Sequence, residues 1–185
     1  PRTAPRTPHP ARRTPYNPSV SSAEHRRTSP QSVHAFVLTI SDTRTEENDT
    51  SGDAIVGLLV TSGHVLSGRA IVKDDPADVR AAITNAAVGS TQVIITTGGT
   101  GITSRDSTYE AIDAMLHKRI DGFGELFRML SYQEIGPAAM LTRACAGTIG
   151  KVAVFALPGS EHAVRLAMTK LILPEIGHVV RELNR

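Results

Sequence analysis

Short apolar runs of strand length alternate along the chain with longer segments in which apolar residues recur every three to four positions. The apolar runs predict strands over residues 33–40, 64–73, 93–97 and 151–157. The periodic segments predict helices over residues 52–61, 76–88, 107–118, 125–134 and from 160 onward. Strands that alternate with helices are typical of a parallel sheet covered by helices, so the pattern predicts an α/β fold.

Several of the predicted helices carry recognisable end signals. Asp75 followed by Pro76 is a typical helix start, because Asp caps free N–H groups and Pro suits the first helical position. Ser107 and Glu110 have the spacing of a capping box. Pro174 interrupts the last periodic segment and is expected to kink or split that helix.

Polar or glycine-rich clusters follow each predicted strand directly. Parallel sheets bind ligands beyond the carboxyl ends of their strands, where the chain turns into helix N-termini. The candidate functional residues are therefore expected at that edge. The clusters span residues 41–44, 49–52, 74–76, 97–101, 105–107 and 158–160.

The loop of Thr97, Gly98, Gly99, Thr100 and Gly101 is the most distinctive of these clusters. Its three glycines allow the backbone to approach a ligand closely and to direct N–H groups at an anion. The two threonine hydroxyls add further donors. The pattern favours contact with a phosphate or a pterin, and the alternative is a tight turn that only reverses the chain.

Asp74, Asp75 and Asp106 follow the second and third predicted strands, which we expect to be neighbours in the sheet. Carboxylates that face a phosphate loop need a divalent cation between them, and Mg²⁺ prefers such oxygen ligands. The pattern suggests a magnesium–phosphoryl site. The alternatives are a capping role for Asp75 and surface roles for Asp74 and Asp106. Arg44 and Arg105 are equally consistent with phosphate binding and with surface ion pairs.

Charge is distributed unevenly along the chain, so the net charge does not describe the predicted domain. The chain carries +2 and residues 1–30, with six Arg and one Glu, carry +5, so the rest carries −3. The charge of the rest of the chain therefore does not suggest that it binds nucleic acid. Residues 1–30 also hold seven of the eleven prolines and few large apolar residues, which predicts a disordered tail before a domain over 31–185. That tail is an extension without function, a basic arm for an acidic partner, or a transit peptide.

Other functional classes are disfavoured by what the sequence lacks. It has no Walker phosphate loop, no apolar run of membrane-spanning length and no signal-peptide pattern. Its one cysteine, Cys145, fits a packed small residue in a reducing compartment, and the spacing of the seven histidines does not suggest zinc. A cytoplasmic protein without membrane contact is expected.

Five motifs in order resemble the bacterial MoaB and MogA proteins, members of the molybdopterin-binding family that includes the G domain of gephyrin. They are SDTRTEENDTSG at 41–52, TGGTG at 97–101, RD at 105–106, the G-F-G-E-x-F-R-M-L-S-x-x-E-I-G stretch at 122–136, and ALPGS at 156–160. The resemblance extends over about residues 33–183 and is specific as a combination.

This resemblance implies a three-layer α/β domain with a mostly parallel sheet between helices, the molybdopterin-binding fold. It implies binding of molybdopterin and, in catalytic members, transfer of AMP from Mg-ATP to the pterin phosphate with release of pyrophosphate, before metal insertion. It also implies a homotrimer or homohexamer and hand-over to a metal-insertion enzyme.

Carried over by motif, the resemblance implies that Asp74 and Asp106 are the catalytic aspartates and Mg²⁺ ligands. Lys73 precedes Asp74 where relatives usually have Pro. The expected molybdopterin- and nucleotide-binding residues are Ser41, Asp42, Thr97, Gly98, Gly99, Thr100, Gly101, Arg105, Pro158, Gly159 and Ser160.

Three functional hypotheses follow. The first is a molybdopterin adenylyltransferase, because both aspartates of the active branch are present. The second is a non-catalytic molybdopterin-binding or carrier protein, because residues 41–52 and 122–136 resemble MoaB, whose members differ in activity. The third is a scaffold that docks through its basic tail.

Overall fold

The computed structural model describes residues 28–103 and 106–185. Within them are six strands: β1 His34–Ile40, β2 Val65–Val72, β3 Val93–Gly98, β4 Lys118–Arg119, β5 Cys145–Ile149 and β6 Val152–Leu157. The disordered tail predicted for residues 1–30 falls, for residues 1–27, outside the described part of the chain and stays a prediction.

Within the same residues, six α-helices connect or follow these strands. They are α1 Thr50–Thr61, α2 Pro76–Ala86, α3 Thr108–Met115, α4 Asp121–Ile135, α5 Glu161–Ala167 and α6 Leu173–Leu183. A 3₁₀ helix, Gly136–Leu141, extends α4, and a π-helical turn, Met168–Ile172, joins α5 to α6. None of the helices in the described residues is both long and apolar enough to cross a membrane.

All six strands belong to one sheet, in the order β2-β1-β3-β6-β5-β4. The pairs β1–β2, β1–β3 and β3–β6 are parallel, whereas β5–β6 and β4–β5 are antiparallel. The prediction of a mostly parallel sheet is confirmed. The expectation that the second and third strands are neighbours is wrong, because β1 lies between them and pairs with both.

Helices cover both faces of the sheet, which makes the domain three-layered. Alternate residues of β3 point to opposite faces, so Val93 and Ile95 pack in one apolar cluster and Ile94 in the other. The first cluster includes buried side chains of α1, α4, α5 and α6, and the second includes those of α2 and α3. The core consists mainly of Ala, Val, Ile and Leu, as the composition predicts.

The antiparallel part of the sheet, β4 and β5, is absent from the sequence-based prediction. β4 consists of only two residues, both of them exposed. β5 reads CAGTI, with small residues in place of a strong apolar run. Both are too short or too weakly apolar to stand out by periodicity. Gly150, with φ of +58°, lies in the turn between β5 and β6. This glycine was the one sequence feature that could have indicated the β5–β6 hairpin.

The helix-end signals had mixed outcomes. Asp75 caps α2 by accepting hydrogen bonds from the N–H groups of Ala77 and Asp78, as predicted. The capping box of Ser107 is wrong, because its side chain makes no cap hydrogen bond and Glu110 pairs with Arg143 at 2.9 Å.

Pro174 lies in the first turn of α6, directly after the π-helical turn. The predicted interruption of the last helix is therefore present. One turn further along α6, Gly177 meets the chain leading into β1, and a Cβ on Gly177 would lie 2.3 Å from the Pro30 carbonyl oxygen.

Candidate active site

The loops after the four parallel strands meet at one edge of the sheet. They follow Ile40 of β1, Val72 of β2, Gly98 of β3 and Leu157 of β6. The Ser41 N–H donates to the Val72 carbonyl at 2.9 Å, so the first two loops leave the sheet side by side. The structure thereby gathers the polar clusters that the sequence places after separate strands.

Three carboxylates line one small cavity at this edge. Asp42, Asp74 and Asp106, together with Thr103, surround about 220 Å³. Because β1 lies between β2 and β3, Asp42 follows the strand that separates those leading to Asp74 and Asp106. The structure therefore adds a third carboxylate to the pair that the sequence singles out for magnesium.

The side chain of Asp42 is hydrogen-bonded to the backbone of Asp74. The Asp42 carboxylate accepts a hydrogen bond from the Asp74 N–H at 3.2 Å. One oxygen of the Asp74 carboxylate, Oδ1, is buried and has no hydrogen-bond partner in the described part of the chain. Because a buried polar atom without a partner is costly, this oxygen is suited to bind a cation or a donor from a ligand.

Asp106 is held by Thr103 through two short hydrogen bonds. Its Oδ2 accepts from the Thr103 N–H at 2.7 Å and from the Thr103 hydroxyl at 2.6 Å. The Asp106 N–H in turn donates to the Thr103 carbonyl at 3.0 Å. Arg105, an expected binding residue, lies outside the described residues, so its role stays a prediction.

Gly98 and Gly99 take conformations that side chains rarely adopt. Their φ values are +98° and +65°. A Cβ on Gly98 would lie 2.1 Å from the Ile40 carbonyl oxygen, and one on Gly99 would lie 2.8 Å from the Thr108 methyl carbon. These two glycines are therefore required by the turn itself, where β3 ends against β1.

The loops after β3 and β6 touch each other. A Cβ on Gly159 would lie 3.3 Å from the Cα of Gly98. The Thr97 hydroxyl donates to the Pro158 carbonyl at 3.0 Å, and Thr97 is fully buried. The structure thus uses the Thr97 hydroxyl to join two loops, whereas the sequence suggested it as a ligand donor.

Other predicted binding hydroxyls also have partners within the chain. Ser41 Oγ accepts from the N–H groups of Thr43 and Arg44, both at 3.2 Å. Ser160 Oγ caps α5 by accepting from the Ala163 N–H at 3.2 Å. Arg44 donates to the Asn48 carbonyl at 2.6 Å. These contacts hold the loops after β1 and β6 in place. Thr100 is half-buried.

A second cavity lies at the same edge, beside the antiparallel strands. It encloses about 210 Å³, and its lining includes Tyr109, Arg119, Arg128 and Cys145. Cys145 pairs with Ala156 near the end of β6, which places this cavity close to the loop after that strand. Arg119 forms an ion pair with Asp113, which joins the end of β4 to α3.

Cys145 is packed in the core, and the prediction of a packed small residue is confirmed. It is 5% exposed, and burial raises the pKa of its thiol to about 11. The thiol therefore stays protonated near neutral pH, and a thiolate nucleophile is not available there.

Asp49 is a buried charged residue for which the sequence predicted no individual role. It caps α1 through the Gly52 N–H and accepts from the Thr39 hydroxyl and from Arg69, the latter at 2.7 Å. Burial alone would raise the pKa of Asp49, but the hydrogen bonds from Thr39 and Arg69 lower it below the ordinary value. The sequence placed Asp49 in the polar cluster at 49–52, three residues before the predicted helix start at residue 52 and one residue before the observed start at Thr50.

The carboxylates of the first cavity are compatible with the Mg²⁺ ion that the sequence led us to expect. Within residues 28–103 and 106–185, no group of three or more metal-binding side chains is arranged to hold an ion. Mg²⁺ usually takes one or two carboxylates and completes its shell with waters and substrate phosphates. The unpartnered oxygen of Asp74, in one cavity with Asp106, meets that requirement.

Known proteins share both the sequence and the fold of this chain. A family profile described as "Probable molybdopterin binding domain" matches residues 36–178. The chain is 52% identical over 168 residues to molybdenum cofactor biosynthesis protein B of Bacillus anthracis, covering 90% of this chain and 99% of that protein. The protein of the same name from Bacillus subtilis is 47% identical over 168 residues, with the same coverage.

Solved structures give the same answer. A crystal structure of a molybdenum cofactor biosynthesis protein B is 53% identical, with a TM-score of 0.83, and the match covers 85% of this chain and 99% of that one. The tungsten cofactor synthesizing protein MoaB of Pyrococcus furiosus is 38% identical, with a TM-score of 0.77 and coverages of 85% and 100%. On this sequence and structural agreement, the chain belongs to the MoaB/MogA family of molybdenum cofactor biosynthesis proteins.

Proposed function

We propose that this protein binds molybdopterin and transfers AMP from Mg-ATP to the pterin phosphate, releasing pyrophosphate. The observation that carries the proposal is the cavity of Asp42, Asp74 and Asp106 beside the glycine-rich loop, with a buried Asp74 oxygen that lacks a partner. A protein that only holds the pterin has no evident need for this concentration of carboxylates.

Asp74 and Asp106 are the residues that would hold Mg²⁺. When bound, the ion supplies positive charge that screens the phosphates of ATP from each other and from the carboxylates. The chain prepares this site in advance, because Asp42 fixes the Asp74 backbone and Thr103 fixes the Asp106 carboxylate. Such preorganisation avoids reorientation during the reaction.

The backbone of Gly98 to Thr100 would bind phosphate oxygens through its N–H groups. Successive N–H groups in a glycine-rich turn form a concave anion site, and the N-terminus of α3 contributes a partial positive charge near it. The Thr97–Pro158 hydrogen bond and the Gly98–Gly159 contact hold this loop in place. These contacts support a rigid cradle that can orient a phosphate.

The proposed reaction is a nucleotidyl transfer. An oxygen of the pterin phosphate bonds to the α-phosphorus of ATP, the bond from that phosphorus to the bridging oxygen breaks, and pyrophosphate leaves with the electron pair. Positioning of two bound reactants alone contributes about 7–11 kcal/mol to lowering such barriers. No covalent enzyme nucleophile is needed, and the protonated Cys145 thiol is consistent with that.

Two separate cavities at one edge of the sheet are consistent with a reaction of two bound substrates. The acidic cavity suits a magnesium nucleotide. The second cavity, which Asp121 and Glu125 also line, offers the Tyr109 phenol and the Arg128 guanidinium for an anionic, aromatic partner, whereas Arg119 is paired with Asp113 and Asp121. Both lie at the same edge of the sheet. We therefore assign the nucleotide to the acidic cavity and the pterin to the second cavity.

Association into a homotrimer or homohexamer belongs to the same proposal. Apolar side chains of α4 and the following 3₁₀ helix are exposed and can be covered by another copy. They are Leu126, Met129, Tyr132, Ile135, Met140 and Leu141. After AMP transfer, the product would pass to a separate enzyme that inserts the metal.

The test combines purified protein, molybdopterin, ATP and Mg²⁺, and follows pyrophosphate and adenylylated pterin together. Magnesium-dependent formation of both in equal amounts supports the transferase. Tight pterin binding without AMP transfer overturns it and leaves the carrier function.

A further inference from the structure

We propose that Gly101 and Thr103 are positioning residues for Asp106, and that Gly101 lacks a side chain to leave room for the Asp106 carboxylate. This inference rests on the proposed function for its catalytic meaning. It reassigns Gly101, which the sequence placed among the residues that approach the ligand.

Gly101 differs from the two glycines before it. Gly98 and Gly99 have positive φ values, whereas Gly101 does not. A side chain at Gly101 is thus compatible with the local backbone, and the reason for glycine must lie in what surrounds it.

What surrounds Gly101 is the Asp106 carboxylate. A Cβ on Gly101 would lie 2.3 Å from Oδ2, 2.6 Å from Cγ and 2.9 Å from Oδ1 of Asp106. Separations below 3.0 Å require one group to move, so alanine at this position displaces the carboxylate or the loop. The three heavy atoms nearest to that Cβ position all belong to the Asp106 side chain.

Thr103 holds the same carboxylate from another direction. Its N–H and its hydroxyl both donate to Oδ2, at 2.7 and 2.6 Å, and its carbonyl accepts from the Asp106 N–H at 3.0 Å. Thr103 itself is exposed, so its contacts to Asp106 are not a by-product of core packing. Gly101 therefore provides the space and Thr103 the donors for one defined carboxylate position.

The cavity explains why that position needs support. Asp42 and Asp74 face the same 220 Å³ space, and like charges at close range repel. Two donors on Oδ2 keep Asp106 in place against this repulsion before a cation is bound.

The main test is a double-mutant cycle on the binding of a fluorescent ATP analogue with Mg²⁺. In the presence of Asp106, we expect Gly101→Ala and Thr103→Val each to weaken binding by about tenfold or more, as supporting residues of metal sites do. In the Asp106→Ala background, each should change binding by less than about twofold, because the group they position is gone. Equal losses in both backgrounds would show that Gly101 serves the ligand directly and would overturn the proposal.

Two further variants separate positioning from a general structural effect. Thr103→Ser keeps the hydroxyl and should retain binding within about twofold of wild type, since both donors to Oδ2 remain. Gly57→Ala makes the same chemical change as Gly101→Ala at an exposed site with open space around it, and should leave binding unchanged. Failure of Thr103→Ser to bind like the wild type would contradict the role of the hydroxyl.

Crystal structures of Gly101→Ala and Thr103→Val keep this inference apart from the proposed function. If wild-type protein does not bind the nucleotide, the proposed function fails, and the structures still decide the inference. A displaced Asp106 carboxylate in both variants supports it. A carboxylate that stays in its wild-type position in Gly101→Ala overturns it.

Discussion

Thr97 and Pro158 are joined by a hydrogen bond from the Thr97 hydroxyl to the Pro158 carbonyl, at 3.0 Å, where β3 and β6 end side by side. Thr97→Val keeps the side-chain shape but removes the donor from a fully buried site. We expect a loss of about 1–3 kcal/mol in unfolding free energy, because a carbonyl is left without its partner. Urea denaturation measures this loss, and Thr97→Ser, which keeps the hydroxyl, should lose less.

Gly98→Ala should be far more damaging than an ordinary glycine substitution. Its φ is +98°, and a Cβ would lie 2.1 Å from the Ile40 carbonyl oxygen. We expect a loss of about 3 kcal/mol or more from strain and from separation of β3 and β1. Gly57→Ala in the middle of α1 is the matched comparison and should stabilise the protein by about 0.5–1 kcal/mol. Similar denaturation midpoints for the two variants would contradict this account.

Asp49 should make stability depend on acidity. Its pKa is lowered in the folded protein because hydrogen bonds from Thr39 and Arg69 outweigh burial, which alone would raise it. Its contribution is therefore complete above the unfolded-state pKa, near 3.8, and is lost as the pH falls through the lower folded value. Unfolding free energy measured from pH 7 to pH 2 should fall less steeply below about pH 4 in Asp49→Asn.

Asp53, which pairs with the same arginine as Asp49, provides the control. Asp53 contacts Arg69 at 2.6 Å, but its side chain is 59% exposed, whereas that of Asp49 is fully buried. At pH 7 we expect Asp49→Asn to lose about 3 kcal/mol or more and Asp53→Asn at most about 1 kcal/mol. Equal losses would show that burial of the pair is not what matters.

Substitution of either catalytic candidate should separate chemistry from pterin binding. We expect Asp106→Ala and Asp74→Ala each to lower the rate of AMP transfer by about 100-fold or more, because each removes a group that stabilises charge in the transition state. Molybdopterin affinity, measured by calorimetry, should survive in Asp106→Ala. Near-normal turnover in that variant would remove Asp106 from the proposed mechanism.

Most of the fold could be predicted because β1, β3 and β6 are buried on both faces and therefore appear as continuous apolar runs. Val93 to Ile95 and Val152 to Leu157 are buried throughout, which is typical of central parallel strands. The hairpin partner β5 has no such run, because Cys145–Ile149 reads CAGTI, although four of its five residues are buried. Its place in the sheet depends on tertiary contacts, which periodicity does not report.

The sequence predicted that loops after the parallel strands gather at one edge of the sheet, but not how their residues are arranged there. The sequence places Asp74 and Asp106 after strands, but strand order decides that Asp42 lies with them. Likewise, TGGTG appears as one motif, although Gly98 and Gly99 serve the turn and Gly101 lies against Asp106. Thr97 donates within the protein. Such differences depend on contacts between loops that are distant along the chain.

The position of β6 has a consequence for synthesis of the chain. β3 pairs on one side with β1, which precedes it, and on the other with β6, which the ribosome produces much later. Until β6 emerges, β3 is an edge strand with apolar residues on both faces, the kind of edge that pairs with other chains. Fragments that stop before Val152 are therefore expected to aggregate, and a nascent chain needs its β6 hairpin or a chaperone to cover that edge.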